Sequence, residues 1–232
     1  MGFQTAIGNP SWAVAGDVAS TFPPVSMLND NALYAGAAGV TIGNFAWVTT
    51  GNVVNSKWSA TTDRIGFIPR QMQGLITTFG AEASMVIPAG LPVAPPLVRC
   101  EAWGTFAAGA TIGQNVYATY GTGALVSGAS TPTNTFTANT ANTSATITVT
   151  AVNTGMVIAL GQAVSGTNIP AGAYISAFGT GTGGAGTYTI SAAATGTATG
   201  TTVTATTAVL TQFAVASTAA AGELAKITPW EF

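Results

Sequence analysis

Between Glu101 and Glu223 the chain contains no Asp, Glu, Lys or Arg, and over its 232 residues it contains no histidine. Proton-transfer catalysis needs a group that titrates near the working pH, and metal chemistry needs carboxylate, imidazole or thiolate ligands. Half of this chain offers neither. Charged residues make up 5% of the whole, against about 25% in an ordinary domain, so the solvated face has to be built from Thr, Ser, Asn, Gln and backbone. Nearly neutral surfaces tend to associate, and interface cores are poor in charge. The deficit therefore reads as surface meant to be covered, in a protein that works by shape and assembly.

The cations are Lys57, Arg64, Arg70, Arg99 and Lys226, and the formal net charge is −2. Neutralising a phosphate backbone takes several clustered Lys or Arg, so nucleic acid is not an expected partner. Cys100 is the single cysteine and permits no disulfide within the chain. The start, Met1-Gly2-Phe3-Gln4, lacks the basic and apolar regions of a signal peptide. Cytosolic synthesis is expected, and the sequon at Asn142-Thr143-Ser144 is expected to stay unmodified. Mean hydropathy is +0.44, and residues 31–56 are uncharged over a length that could span a bilayer. That segment holds four glycines with several Asn and Thr and no continuous Leu/Ile/Val/Phe run. No membrane is expected.

The turn and strand signals predict an all-β fold: a barrel or sandwich core with a small inserted Thr/Gly-rich module and an extended N-terminal arm. Residues 1–30 carry Pro10, Pro23 and Pro24 with isolated Phe3, Trp12 and Phe22. Proline fixes φ and removes a donor, which suits an arm lying along a surface with aromatic anchors. Residues 31–130 and 207–232 form the core domain, with strands expected at 40–42, 45–48, 65–68, 75–79, 97–103 and 209–215. Over 97–103, Arg99 and Glu101 alternate with Val98, Cys100 and Ala102, which makes one face polar and places Cys100 in the core. Residues 131–206 form the inserted, outward-facing module. Its strands alternate too: Ile147, Val149 and Ala151 share a face, as do Tyr174, Ser176 and Phe178, and Tyr188 with Ile190. Residues 219–226 admit a short helix or a wide turn leading into a last strand.

Several motifs carry less than their letters suggest. Gly181-Thr182-Gly183-Gly184-Ala185-Gly186 matches G-x-G-x-x-G, but strand-like Thr187-Tyr188-Thr189-Ile190 follows where a phosphate site needs a helix. A hairpin tip is expected there. Nucleophilic catalysis would need a base beside Ser, Thr or Cys, and the carboxylates Asp17, Asp30, Asp63, Glu82, Glu101, Glu223 and Glu231 stand singly. Asn29-Asp30-Asn31 lacks the spacing of a calcium loop and reads as a turn. No catalytic residue, cofactor or metal is expected. Asp63-Arg64, between Trp58 and Phe67, is the densest polar-aromatic cluster, either a docking spot or an ion pair that pins a loop.

The chain resembles the structural cement, or head decoration, proteins of tailed bacteriophages. The likeness rests on Met1-Gly2-Phe3-Gln4, on 39–47 (GVTIGNFAW), on 65–70 (IGFIPR), on 113–118 (GQNVYA) and on 219–227 (AAAGELAKI). The stretch 161–181 is similar to a small β-module that recurs as an insertion in phage surface proteins. The resemblance implies a non-enzymatic structural protein on the outer surface of an assembled capsid in the virion. Its partners would be the major capsid protein and two further copies of itself, as a homotrimer where capsomers meet. Phe3, Trp12, Phe22 and Arg64 are the expected capsid contacts. The alternatives are a receptor-binding or adhesive module, which would expose Tyr174, Phe178 and Tyr188 together, and a tail structural protein.

Overall fold

The computed structural model describes residues 13–19, 23–28, 32–61, 64–70 and 85–229. Phe3, Trp12, Phe22, Asp30, Asp63 and the expected strand at 75–79 lie outside the described residues. Within them the fold is all-β, with no helix. The uncharged segment 31–56 is broken into short strands, and no described helix is long and apolar enough to cross a membrane.

Two sheets face each other. The first takes β1 (Val25–Ser26), β2 (Tyr34–Ala35), β4 (Phe45–Val48), β5 (Asn52–Val54), β6 (Ile65–Phe67) and β8 (Leu97–Arg99), in the order β1-β8-β6-β4-β5-β2. The second takes β9 (Ala102–Thr105), β10 (Asn115–Thr119), β11 (Leu125–Gly128), β18 (Ala208–Val215) and β19 (Leu224–Thr228), in the order β11-β10-β18-β19-β9. Phe45, Trp47 and Phe67 of the first pack on Val116, Phe213, Val215 and Ile227 of the second. The rings of Phe67 and Phe213 meet Phe45 edge-on at 5.7 and 5.5 Å, an arrangement aromatic quadrupoles favour. Strand β4 is buried on both faces. Phe45 and Trp47 serve this core, while Ala46 and Val48 join Val53, Ile68 and Ile87 in a second cluster, which is why its sequence is an unbroken apolar run. A two-stranded pairing of β3 (Val40–Thr41) with β7 (Val86–Ile87) closes that second cluster.

The expected strand over 97–103 is two strands. β8 belongs to the first sheet and β9 to the second, and the chain turns the corner between them at Cys100 and Glu101. Cys100 is buried at the corner. Glu101 is held there by Lys226 at 2.8 Å, and its carbonyl accepts the Ala19 amide at 2.7 Å. At 219–226 the chain makes a turn, with Gly222 at φ 80°, and runs into β19.

The remaining strands, β12 (Thr133–Thr140), β13 (Thr146–Val152), β14 (Val164–Gly166), β15 (Ile175–Phe178), β16 (Gly186–Ile190) and β17 (Ala198–Thr206), form a separate sheet, β14-β17-β12-β13-β16-β15. It buries its own cluster, including Phe136, Ile147, Ile175, Tyr188 and Val203. Its first and last strands pair, Thr133 opposite Thr206, and Pro132 accepts the Thr207 amide at 2.9 Å.

Side-chain alternation in this sheet departs from the sequence pattern at bulges. Opposite Thr137–Ala138, β13 carries one extra residue, Thr150, so the inward positions run Ile147, Val149, Val152 and leave Ala151 exposed. In β15 the extra residue is Ser176: Ile175 and Phe178 share the face of Ile190 and Tyr188, while Tyr174 and Ser176 do not. A bulge strands a ladder carbonyl, and here hydroxyls recover it. Thr150 Oγ1 donates to the Thr137 carbonyl at 3.3 Å, Ser176 Oγ to that of Thr189 at 3.1 Å, and Thr201 Oγ1 to that of Ala138 at 3.1 Å.

Candidate interaction surface

β18 shows the same device at larger scale. Between the pairs Asn115–Ala214 and Tyr117–Leu210 it carries two extra residues. Thr211 Oγ1 fills the gap, donating to the Val116 carbonyl at 2.7 Å and accepting the Phe213 amide at 3.2 Å. Two extra residues leave the alternation intact, so Phe213 still enters the core while Leu210 and Gln212 face out.

Along its other edge β18 is covered only at its end. β19 pairs with Ala214 and Val215 and then reaches Pro229, which has no amide to continue a ladder. Among the described residues no strand pairs with that edge from Val209 to Phe213. Two hollows flank it. One, of about 410 Å³, reaches inward between the sheets to Phe45, Ile65 and Val98 and is bounded by Met27 and Arg64. The other, of about 210 Å³, lies over Asn115, Thr228 and Pro229. Residues 210–213 belong to both.

Arg64 is the one expected contact residue within the described structure. It is exposed, and its guanidinium donates to the Leu28 carbonyl. Leu28, whose carbonyl it holds, is 89% exposed, and Leu210, which lines the same hollow as Arg64, is 55% exposed, both apolar groups that water does not favour. Nothing in the sequence marked Leu28 or Leu210 as its neighbours, because the strand ends that bring them there are set by sheet order.

The other motifs resolve into structure. The G-x-G-x-x-G segment is the β15–β16 connection and is occupied by the chain's own Tyr188, whose hydroxyl donates to the Gly184 carbonyl at 2.7 Å and accepts the Gly183 amide at 2.9 Å. Tyr188 is 0% exposed and Phe178, edge-on to it at 5.7 Å, is 45% exposed. These two and half-buried Tyr174 are thus neither exposed together nor buried together, because the Ser176 bulge redirects the strand. Lys57 is buried at the seam with the separate sheet, its ammonium 5.7 Å from the Tyr120 ring centre, and Tyr120 hydrogen bonds Thr206 at 3.0 Å.

Against known proteins, the model of the XM1 gp53 minor capsid protein family matches residues 3–160, more than half of the chain. The chain belongs to that family. It is a capsid-associated phage structural family, so the chain is a structural protein of a phage capsid and its place is the virion. The match to the minor capsid protein family runs through the first sheet, the Arg64 region and the first strands of the separate sheet. No curated protein and no solved structure matches the chain.

Proposed function

We propose that this protein binds the outer surface of an assembled phage head and cements it, as homotrimers where capsomers of the major capsid protein meet. Membership of the minor capsid protein family is the observation that carries the reading. The composition supports it: a surface with few charges is suited to being covered, and a chain with five cations in 232 residues is suited to the side away from packaged DNA. Many copies with modest contacts gain strength through effective concentration without one strong site.

In this reading residues 1–30 are an arm along the shell with Phe3, Trp12 and Phe22 as anchors, and Arg64 adds a contact from the core domain of 31–130 and 207–232. Residues 131–206 are a distinct module that points outward. The adhesive alternative needs a platform of Tyr174, Phe178 and Tyr188, and the burial of Tyr188 does not favour it.

The test is to mix purified protein with heads assembled without it and image the particles by cryo-electron microscopy. Density on the outside at three-fold positions is expected, and Trp12→Ala should lower occupancy while leaving the fold intact. Binding to tails or host cells with bare heads would overturn the reading.

A further inference from the structure

The edge of β18, open among the described residues, has the form of a receptor for one more strand. Its free stretch, Val209–Phe213, offers main-chain donors and acceptors over roughly 13 to 17 Å at about 3.3 Å per residue. Its neighbouring strand β19 ends at Thr228, just before Pro229, and both hollows are lined by residues 210–213 of this edge strand. An added strand presents alternate side chains to opposite sides, which is the geometry of strand-addition recognition. The inner hollow is walled by Met27, Phe45, Ile65 and Val98 and suits an apolar side chain. Among the described residues Arg64 is the only charged one lining either hollow. A cation beside exposed Leu28 and Leu210 selects a partner that brings a carboxylate next to apolar groups.

Building on the attachment reading above, we propose that the shell protein docks an extended segment on the β18 edge. The segment places apolar side chains in the hollows and an Asp or Glu against Arg64. The rest of the described lining is neutral, so specificity comes from main-chain pairing and that one charge.

The experiment is backbone hydrogen exchange, read by mass spectrometry, on the full chain free and bound to heads assembled without it. Binding should slow exchange across Val209–Gln212 at least ten-fold. Leu210→Asp and Arg64→Glu, both on exposed side chains, should each lower head occupancy at least ten-fold with unchanged circular dichroism. Arg64→Lys should recover part of it. Heads that bind the unmodified protein without slowing exchange at 209–212 overturn this proposal and leave the attachment reading standing. Failure of the unmodified protein to bind heads overturns both. Slowing that is already present in the free protein and grows with its concentration would give the edge to a second copy and overturn the proposal.

Discussion

Phe45 and Gly123 hold the two sheets together through their backbones. The Phe45 amide donates to the Gly123 carbonyl at 2.8 Å, and the Phe45 carbonyl, which accepts Asn55 Nδ2 at 2.8 Å, lies where a side chain on Gly123 would have to begin. Gly123 also sits at φ 64°, a region that costs other residues energy. Gly123→Ala is expected to destabilise the protein by about 2 to 4 kcal/mol, seen as a lower urea midpoint. The matched control is Gly113→Ala, which has a positive φ and open space around it and should cost only about 1 kcal/mol.

Thr211→Val keeps the shape of the side chain in the β18 bulge and removes both of its hydrogen bonds. With the Val116 carbonyl and the Phe213 amide left unpaired, the expected loss is about 1 to 3 kcal/mol. The same exchange at Thr148, an exposed β13 residue outside the bulge, should stay within about 0.5 kcal/mol. Equal effects at the two sites in chemical denaturation would show that the hydroxyl plug contributes nothing.

Tyr188→Phe tests the glycine-rich connection. It leaves the ring in place and strips the Gly183 amide and the Gly184 carbonyl of their partner, which should cost about 1 to 3 kcal/mol and speed amide exchange over 181–186. Gly181→Ala should cost more, because a methyl there meets the Tyr188 ring.

Burial pushes the Cys100 thiol from 9.0 up to about 12. The folded state thus keeps its proton where the unfolded chain has lost it. The stabilisation is fully present below pH 9.0 and is lost as the pH rises toward about 12. Relative to Cys100→Ala, the unmodified protein should lose stability over that window, by at most about 1.4 kcal/mol per pH unit. A parallel check is that a thiol reagent at pH 8 should label native protein far more slowly than protein in urea. Equal rates would place the thiol in solvent.

Fold class was legible in the sequence because glycine and proline punctuate short runs of β-branched and aromatic residues, and β4 displays its double burial as four apolar letters. The faces of β13 and β15 were not. Alternation counts residues by twos, and Thr150 and Ser176 each insert one residue that the count cannot see, since Thr and Ser are also what an ordinary exposed position would hold. The break between β8 and β9 escaped for a related reason, as Cys100 and Glu101 keep the alternation going across a corner between sheets. Arg64 could be singled out as a rare charge near aromatics. Its groove could not, because Met27, Val98 and Leu210 are distant in sequence and line one hollow only through strand order.

The plugged bulges also change what kinds of sequence change this chain tolerates. Along β13 Thr150 is the one residue outside the count of twos: deleting it alone would close the bulge and keep Val149 and Val152 inward and Ala151 outward. The two-residue bulge in β18 is in frame, so losing either Thr211 or Gln212 alone would invert the strand from there to Val215, whereas losing both would preserve it. A one-residue deletion should therefore be tolerated in β13 at the bulge itself, whereas in β18 length changes should come in pairs.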